Sequence, residues 1–560
     1  MKLFTSSGKA LGSIYFLTYA LFSCQDPTGL PVQDDGQKTV RYQDLQLPEK
    51  PNILWLVAED LSPYLSFYGD STIKTPNLER LAREGICFDQ FYSPAPVCSP
   101  SRACIATGLY PTRFGAGHMR NTGNPKYLPP DVKPYEAVPP LGTKMMSEWL
   151  RMDGYYCTNN PKEDYQFNKT PTAWDESSRK AHWRNRKAGQ PFFAIFNFMV
   201  THESQIWAKS KDSLLVDSNL VVPVPPYLPD TKIGRQDIRR MYSNIIEMDQ
   251  QVGEILKQLE EDGELENTII FWYSDHGGPL PRQKRLLYDS GLKVPLIVRF
   301  PHQQFAGTRD DRLTSFLDLA PTVLSLVGIE PKNYMDGRDF LGKYQPAQER
   351  KYVFAAADRF DETTDHNRAA RDHRFKYIRY YDPDKSMFLH SAYRDQQPIM
   401  RELYRLRDLD SLTEVQKLWF RDHKPPFEFF DTENDPDEIH DLSKDPRYQD
   451  KIKELSDAMD QWLQDINDTG LIPETELIDK LWPGGVQPMT QAPVIKSIEN
   501  KITIHCDTEG ASIGFKIIED DEEPDAWQVY TEPILLKEGQ HLKTVAQRIG
   551  YHISEETSYP

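Results

Sequence analysis

Residues 52–58, Asn-Ile-Leu-Trp-Leu-Val-Ala, form a continuous apolar run that breaks off at Glu59-Asp60. A run without alternation predicts a strand buried on both faces, as in a parallel sheet covered by helices. The design recurs. Residues 155–158 (Tyr-Tyr-Cys-Thr) lead into Asn159-Asn-Pro-Lys162, 192–198 (Phe-Phe-Ala-Ile-Phe-Asn-Phe) into Thr201-His202, and 269–273 (Ile-Ile-Phe-Trp-Tyr) into Ser274-Asp275-His276-Gly277. Between them the spacing of Tyr242, Ile245, Ile246, Val252, Ile255, Leu256 and Leu259 predicts an amphipathic helix over 239–262. Alternating strands and helices imply an α/β fold with a mostly parallel sheet, whose ligands bind beyond the carboxyl ends of the strands. The polar strand tips are therefore expected to meet at one site.

After residues 295–298 (Pro-Leu-Ile-Val) and an apolar helix near 316–327, the chain becomes richer in Arg, Asp and Tyr. Residues 346–481 are expected to form a smaller α+β C-terminal subdomain on a body spanning 50–345. Pro and Gly density marks 482–493 as a linker, and the β-rich segments after it predict a small β-sandwich over 494–560. At the other end, Lys2 and Lys9 precede an apolar stretch, 11–21, too short to cross a bilayer. It runs into Leu21-Phe-Ser-Cys24, which resembles the lipobox of bacterial lipoproteins, where the peptide is cut before a lipidated Cys. The expectation is a signal peptide over 1–23, lipidation of Cys24 and a polar tether over 24–49. An ordinary signal peptide is the alternative. The protein would then be exported to the periplasm, outer membrane or cell surface of a bacterium, touching the membrane only through its anchor.

The 560 residues carry 66 Lys+Arg against 84 Asp+Glu, a net charge of −18, which argues against nucleic acid as a partner. Any anionic ligand must be met by local cations. An apolar fraction of 39%, 11% aromatics and a mean hydropathy of −0.63 exclude both a polytopic membrane protein and a disordered chain. Of the six cysteines, with Cys24 and Cys98 set apart, the remaining Cys87, Cys104, Cys157 and Cys506 are too widely spread for a disulfide framework.

Cys98-Ser-Pro-Ser-Arg102 is followed by Thr107-Gly108, and Pro100 suits the first position of a helix running to Gly108. Cys98 would lie at the helix N-terminus, where amide groups and the dipole favour an anion and activate a thiol. A buried structural Cys is the alternative. The segment resembles the type I sulfatase signature C-x-P-S-R…T-G, whose Cys is oxidised to formylglycine by a formylglycine-generating or anaerobic sulfatase-maturating enzyme. The resemblance covers about 50–480 and implies an alkaline-phosphatase-like fold, with one departure at Ala106, where Leu is usual.

The same resemblance makes Glu59, Asp60, Asp275 and His276 ligands of a divalent cation, with the converted Cys98 at that cation. Carboxylate-rich coordination suits Ca²⁺ or Mg²⁺. Glu59 stands where Asp is commoner, and His276 where many members have Asn. Lys162 matches the lysine of G-K-x-H, although Asp164 replaces its His, while His202 and Lys284 match a further histidine and a second lysine. The hydrated aldehyde at 98 would supply one hydroxyl to attack sulfur and another to expel sulfate. Arg102, Lys162 and Lys284 would balance the sulfate oxygens, and His202 would protonate or orient the leaving oxygen.

The expected function is hydrolysis of sulfate esters on an algal polysaccharide such as ulvan, or on a glycosaminoglycan. The alternatives are a phosphoester or phosphonate hydrolase of the alkaline-phosphatase superfamily and a non-catalytic surface glycan-binding lipoprotein. Arg359, Asp361, Asp365 and Arg368, which follow the apolar residues 352–356, are expected to form a saccharide-binding loop.

Overall fold

The computed structural model describes residues 42, 45–122, 128–498, 501–519 and 522–560. The signal segment, Cys24 and most of the tether lie outside the described residues. Eight strands make the main sheet: β1 (Asn52–Ala58), β2 (Ile86–Phe88), β3 (Tyr156–Asn160), β4 (Glu176–Ser177), β5 (Phe192–Phe198), β6 (Thr268–Ser274), β7 (Leu296–Arg299) and β8 (Thr308–Asp310). Their order is β4-β3-β5-β1-β6-β7-β2-β8. Only β7 runs against its neighbours, β6 and β2; the other pairings are parallel. β1 and β6 are buried along their whole length, which is why their sequences are apolar on both faces.

Helix α1 spans Cys98–Thr107 and helix α2 spans Lys232–Glu261. α2 starts earlier than the apolar spacing alone predicts, because Thr231 caps it by accepting the Gly234 N–H at 3.2 Å. Its buried Tyr242, Ile245, Met248, Val252, Leu256 and Leu259 share one core with Leu54, Leu56, Ile270 and Trp272 of the sheet. Four further strands, β9 (Val353–Phe360), β10 (Thr363–Arg371), β11 (Phe375–Tyr380) and β12 (Phe427–Asp431), form an antiparallel sheet in that order. Its core includes Ala355, Ala369 and Ile378 and also takes in Val97, Cys98 and Leu287, so the second sheet backs onto the head of α1.

Residues beyond 493 build a three-stranded and a four-stranded antiparallel sheet around Ile502, Ile504, Ile534 and Leu542. The Pro/Gly-rich stretch before them is no loose spacer. Trp482 is buried and its Nε1 donates to the Gly550 carbonyl at 3.1 Å. Lys144 Nζ to Ser512 Oγ and Arg151 Nη2 to the Trp527 carbonyl, both 2.8 Å, fasten the small sheets to the main body. The described cysteines, 87, 98, 104, 157 and 506, are all unpaired. Among the described residues no helix is long and apolar enough to cross a membrane.

Candidate active site

α1 opens at Cys98 itself, with extended Val97 as its N-cap, so Pro100 is the third helical residue rather than the first. The ring is tolerated there because N–H groups of the first turn have no intrahelical partner. Every residue of α1 is buried, and Gly108 (φ +74°) ends it with its N–H on the Cys104 carbonyl at 2.7 Å. Ser101 Oγ donates to the Asp275 carbonyl, which ties the first turn to the tip of β6.

At the tip of β1, Asp60 adopts φ +47°. Its N–H donates to Asp275 Oδ1 at 3.1 Å, and its Oδ2 accepts the Glu203 N–H at 2.7 Å. His276 Nδ1 lies 3.0 Å from the Gly277 carbonyl and donates to it. The buried Nε2 therefore faces Asp60 Oδ1 at 2.9 Å and Asp275 Oδ1 at 3.7 Å. Ligand atoms of Asp60, Asp275 and His276 lie within 4.8 Å of one another, and Glu59, Asp60 and His202 make a second such group. Burial opposes charge on His276, yet Asp275 and Asp60 outweigh it and lift its pKa to about 10. A ring nitrogen aimed at two carboxylates is a place for positive charge, a proton or a metal in its stead, and this donor set fits a hard divalent cation.

Glu59 is placed differently from the other three expected ligands. One of its oxygens takes Arg102 Nη2 and the other takes Lys162 Nζ at 2.5 Å. Arg102 also reaches Asp275 Oδ2 (3.2 Å) and Asn197 Oδ1 (2.8 Å). Lys284 Nζ sits 3.0 and 2.9 Å from the two Asp60 oxygens, 3.2 Å from Glu203 Oε1 and 3.4 Å from His202 Nε2. Burial drives the His202 pKa to about 4, Asp60 opposing and Lys284 and Lys162 adding to the shift. At neutral pH the proton of this pair accordingly resides on Lys284. Arg102 of α1 and Lys162 are held on Glu59, and Lys284 on Asp60, so three cations gather at the strand tips beside α1. Asp164 lies 4.0 Å from Lys162.

The expected saccharide-binding loop is corrected. Arg359, Asp365 and Arg368 lie within β9 and β10, and Asp361 lies in the tight turn between them, all four buried. Arg359 places Nε and Nη2 on Glu474 (3.0 Å for Nη2) and Nη1 on the Met119 and Asp361 carbonyls, both at 2.8 Å. Arg368 binds Asp358 (2.8 Å) and Asp468 (3.0 and 2.8 Å). Asp365 accepts from Lys424 Nζ at 2.7 Å and Asn367 Nδ2 at 3.0 Å. The hairpin packs against the body of the protein, so these charges meet partners from other segments instead of water.

Sequence reasoning missed Asn197, Glu203, Arg285 and Arg120. Asn197 was visible as the lone polar residue in an apolar strand, and Glu203 as the neighbour of His202. Arg285 Nη1 and Nη2 bind Glu203 at 2.9 Å each, and with Lys284 this holds the Glu203 pKa near 2 against the effect of burial.

The chain matches the sulfatase family model over residues 51–185 and 156–329, and the N-sulphoglucosamine sulphohydrolase C-terminal model over 282–419. It is 48% identical over 548 residues to an ulvan-active sulfatase of Formosa agariphila, covering 91% of each chain. An N-sulphoglucosamine sulphohydrolase of Homo sapiens is 24% identical over 489 residues, 77% of this chain and 94% of that one. A solved protein in complex with its substrate D-glucosamine-2-N,6-O-disulfate shares the fold, with a TM-score of 0.53 at 19% identity over 76% of this chain and 99% of that one.

Proposed function

The chain belongs to the type I sulfatase family and is a sulfuric ester hydrolase, and from that premise we propose that it desulfates an ulvan-type or glycosaminoglycan-type saccharide. In this reading Cys98 is the residue converted to formylglycine by a maturation enzyme. Asp60, Asp275 and His276, with Glu59 beside them, hold Ca²⁺ or Mg²⁺. The observation that carries it is the convergence of the head of α1, which opens at Cys98, with the Asp60, Asp275 and His276 group and the cations Arg102, Lys162 and Lys284 at the strand tips. The 48% identity to an ulvan-active sulfatase along nearly the whole chain supports the saccharide.

A formylglycine at position 98 would supply the nucleophile, and a cation held by Asp60, Asp275 and His276 would supply Lewis-acid polarisation. The chain's own groups do the rest. Arg102, fixed by Glu59, Asp275 and Asn197, holds the head of α1 in register with the strand tips. Lys162 and Lys284 face the sulfate oxygens and offset the charge that builds on them. Neutral His202 orients the leaving oxygen, and Lys284 is the charged donor within reach of it. Burial of the cluster keeps water from weakening these interactions.

Peptide mass spectrometry of the Cys98 segment, together with sulfate release from defined sulfated oligosaccharides, tests this reading. An unconverted Cys98 alongside full sulfatase activity overturns the assignment of the nucleophile. Matched aryl sulfate and aryl phosphate separate it from a phosphoester or phosphonate hydrolase, since a faster phosphate reaction overturns it. We also read Cys24 as a lipid anchor that keeps the exported enzyme at the periplasmic or outer-membrane surface, supported by the basic start, the short apolar stretch and Ser23 before the Cys. Fatty-acid labelling that survives Cys24→Ala overturns that anchor.

A further inference from the structure

Two asparagines join the cations Arg102 and Lys162, Asn197 on β5 and Asn159 on the neighbouring β3. Arg102 Nη1 donates to Asn197 Oδ1 at 2.8 Å. Asn197 Nδ2 donates in turn to Asn159 Oδ1 at 3.1 Å and to the Asn160 carbonyl at 3.2 Å. Asn159, fully buried, donates from Nδ2 to the Lys162 carbonyl at 3.1 Å and to Ser177 Oγ on β4 at 3.2 Å. Glu59 closes the circuit from the other side, because its two oxygens take Arg102 Nη2 and Lys162 Nζ. Arg102, Asn197, Asn159, Lys162 and Glu59 thus form a ring.

Donor chemistry fixes the direction of that ring. A guanidinium has no acceptor, so Asn197 must turn its oxygen to Arg102 and its NH₂ to β3. Asn159 must then meet that NH₂ with its own oxygen, which leaves its NH₂ for the Lys162 carbonyl. Ser177 Oγ donates to Glu163 and keeps a lone pair for the same NH₂. Neither amide can flip without breaking contacts at both of its ends.

We infer that Asn159 and Asn197 are positioning residues for Lys162, an amide bridge that locks the backbone of the Lys162 loop to Arg102 and so to the head of α1. The inference rests on the sulfatase reading above, in which Lys162 faces the sulfate oxygens. Lysine carries its charge on a flexible four-carbon stem, and Lys162 Nζ rests on Glu59. An anchored backbone keeps short the swing from Glu59 to a sulfate oxygen, and small displacements of such groups are costly in rate. The amides are neutral, so they hold Arg102 without cancelling charge at the anion site, as another carboxylate would.

The test is a double-mutant cycle between Asn159→Leu and Lys162→Met, read as kcat/KM of the folded enzyme on a defined sulfated oligosaccharide. Asn159→Leu is expected to lower kcat/KM on the order of tenfold to a hundredfold in the wild-type background. In the Lys162→Met background the same substitution should cost about threefold or less, because the group it positions is gone. A purely structural asparagine would lower the melting temperature and leave the cycle additive. Equal losses in both backgrounds, or no loss in the wild type, overturn the inference. Should Asn159→Leu fold poorly, Asn197→Ser, too short to span the bridge from its other end, takes its place in the same cycle. Wild-type sulfate release from that oligosaccharide tests the sulfatase reading by itself, so failure of one is distinct from failure of the other.

Discussion

Glu59, Asp60, Asp275, His276 and Lys284 at the tips of β1 and β6 are buried as deeply as Arg359 and Arg368 in the β9–β10 hairpin, yet the two groups are completed differently. In the hairpin, all three nitrogens of each guanidinium meet carboxylate or carbonyl oxygens. At the strand tips, His276 Nε2 faces Asp60 and Asp275, and Arg102, Lys162 and Lys284 gather on Glu59 and Asp60 beside them. Both places hold ionisable side chains buried to a similar depth. Arg102, Lys162 and Lys284 are paired by the chain as well, so what separates the site from the brace is that buried carboxylate and imidazole ligand atoms of Asp60, Asp275 and His276 stand close enough together to share one cation.

The contrast breaks most sharply at Cys98. Cys98→Ala is expected to lower turnover on the order of 10⁴-fold or more while leaving a cooperative melt, since a small residue fits the head of α1. Substantial sulfate release by that variant would falsify the nucleophile. Asp275→Asn removes one carboxylate charge from His276 Nε2, so metal content and kcat/KM should fall together, the latter on the order of a thousandfold. Chelation of the wild type should do the same, reversed by added Ca²⁺ or Mg²⁺. Full activity without bound metal would contradict the cation site.

Lys284→Ala is expected to cost about 2–4 kcal/mol of transition-state stabilisation, roughly a hundredfold or more in kcat/KM. An unchanged kcat/KM would make Lys284 a brace like Arg359. Arg368→Met should show the opposite signature. It strands Asp358 and Asp468, costing about 3–5 kcal/mol of stability, with kcat/KM of the folded fraction little changed. A selective loss on polysaccharide at unaltered Tm would restore Arg368 to a substrate-binding role.

The smallest effect concerns a buried carboxylate of a third kind. Asp237 of α2 accepts the Ile399 N–H at 2.7 Å, in the first turn of α3 (Pro398–Asp408). Burial, only partly offset by that N–H, raises its pKa from 3.8 to about 7. The folded chain then binds more protons than the unfolded one. The stabilisation is therefore complete below about pH 4 and is lost as the pH climbs through 7. Asp237→Asn should raise stability at pH 8 and do so less at pH 4, measured by denaturant unfolding. An equal change at both values rejects the ionisation account.

Much of the catalytic body was legible along the chain. Unbroken apolar runs ending in Glu59-Asp60, Lys162, His202 and Asp275-His276 announced buried strands with chemistry at one end, and those ends do converge. The hairpin was not legible, because Arg359 and Arg368 look the same in sequence whether they face a sugar or Glu474 and Asp468. Arg120 carried no local signal, since Asp361, with which it pairs, is distant along the chain.

Local hydrophobic pattern, then, determined which segments become strands and helices, because strand and helix periods are properties of neighbouring residues. Tertiary structure alone decided which charges meet at the strand tips and which brace the hairpin. Asp60 and Asp275 stand 215 positions apart, Arg359 and Glu474 115, and Arg120 and Asp361 241. No periodicity spans such separations. Each pairing exists because the sheet order places two strand ends, or a hairpin and a distant loop, within one hydrogen bond of each other.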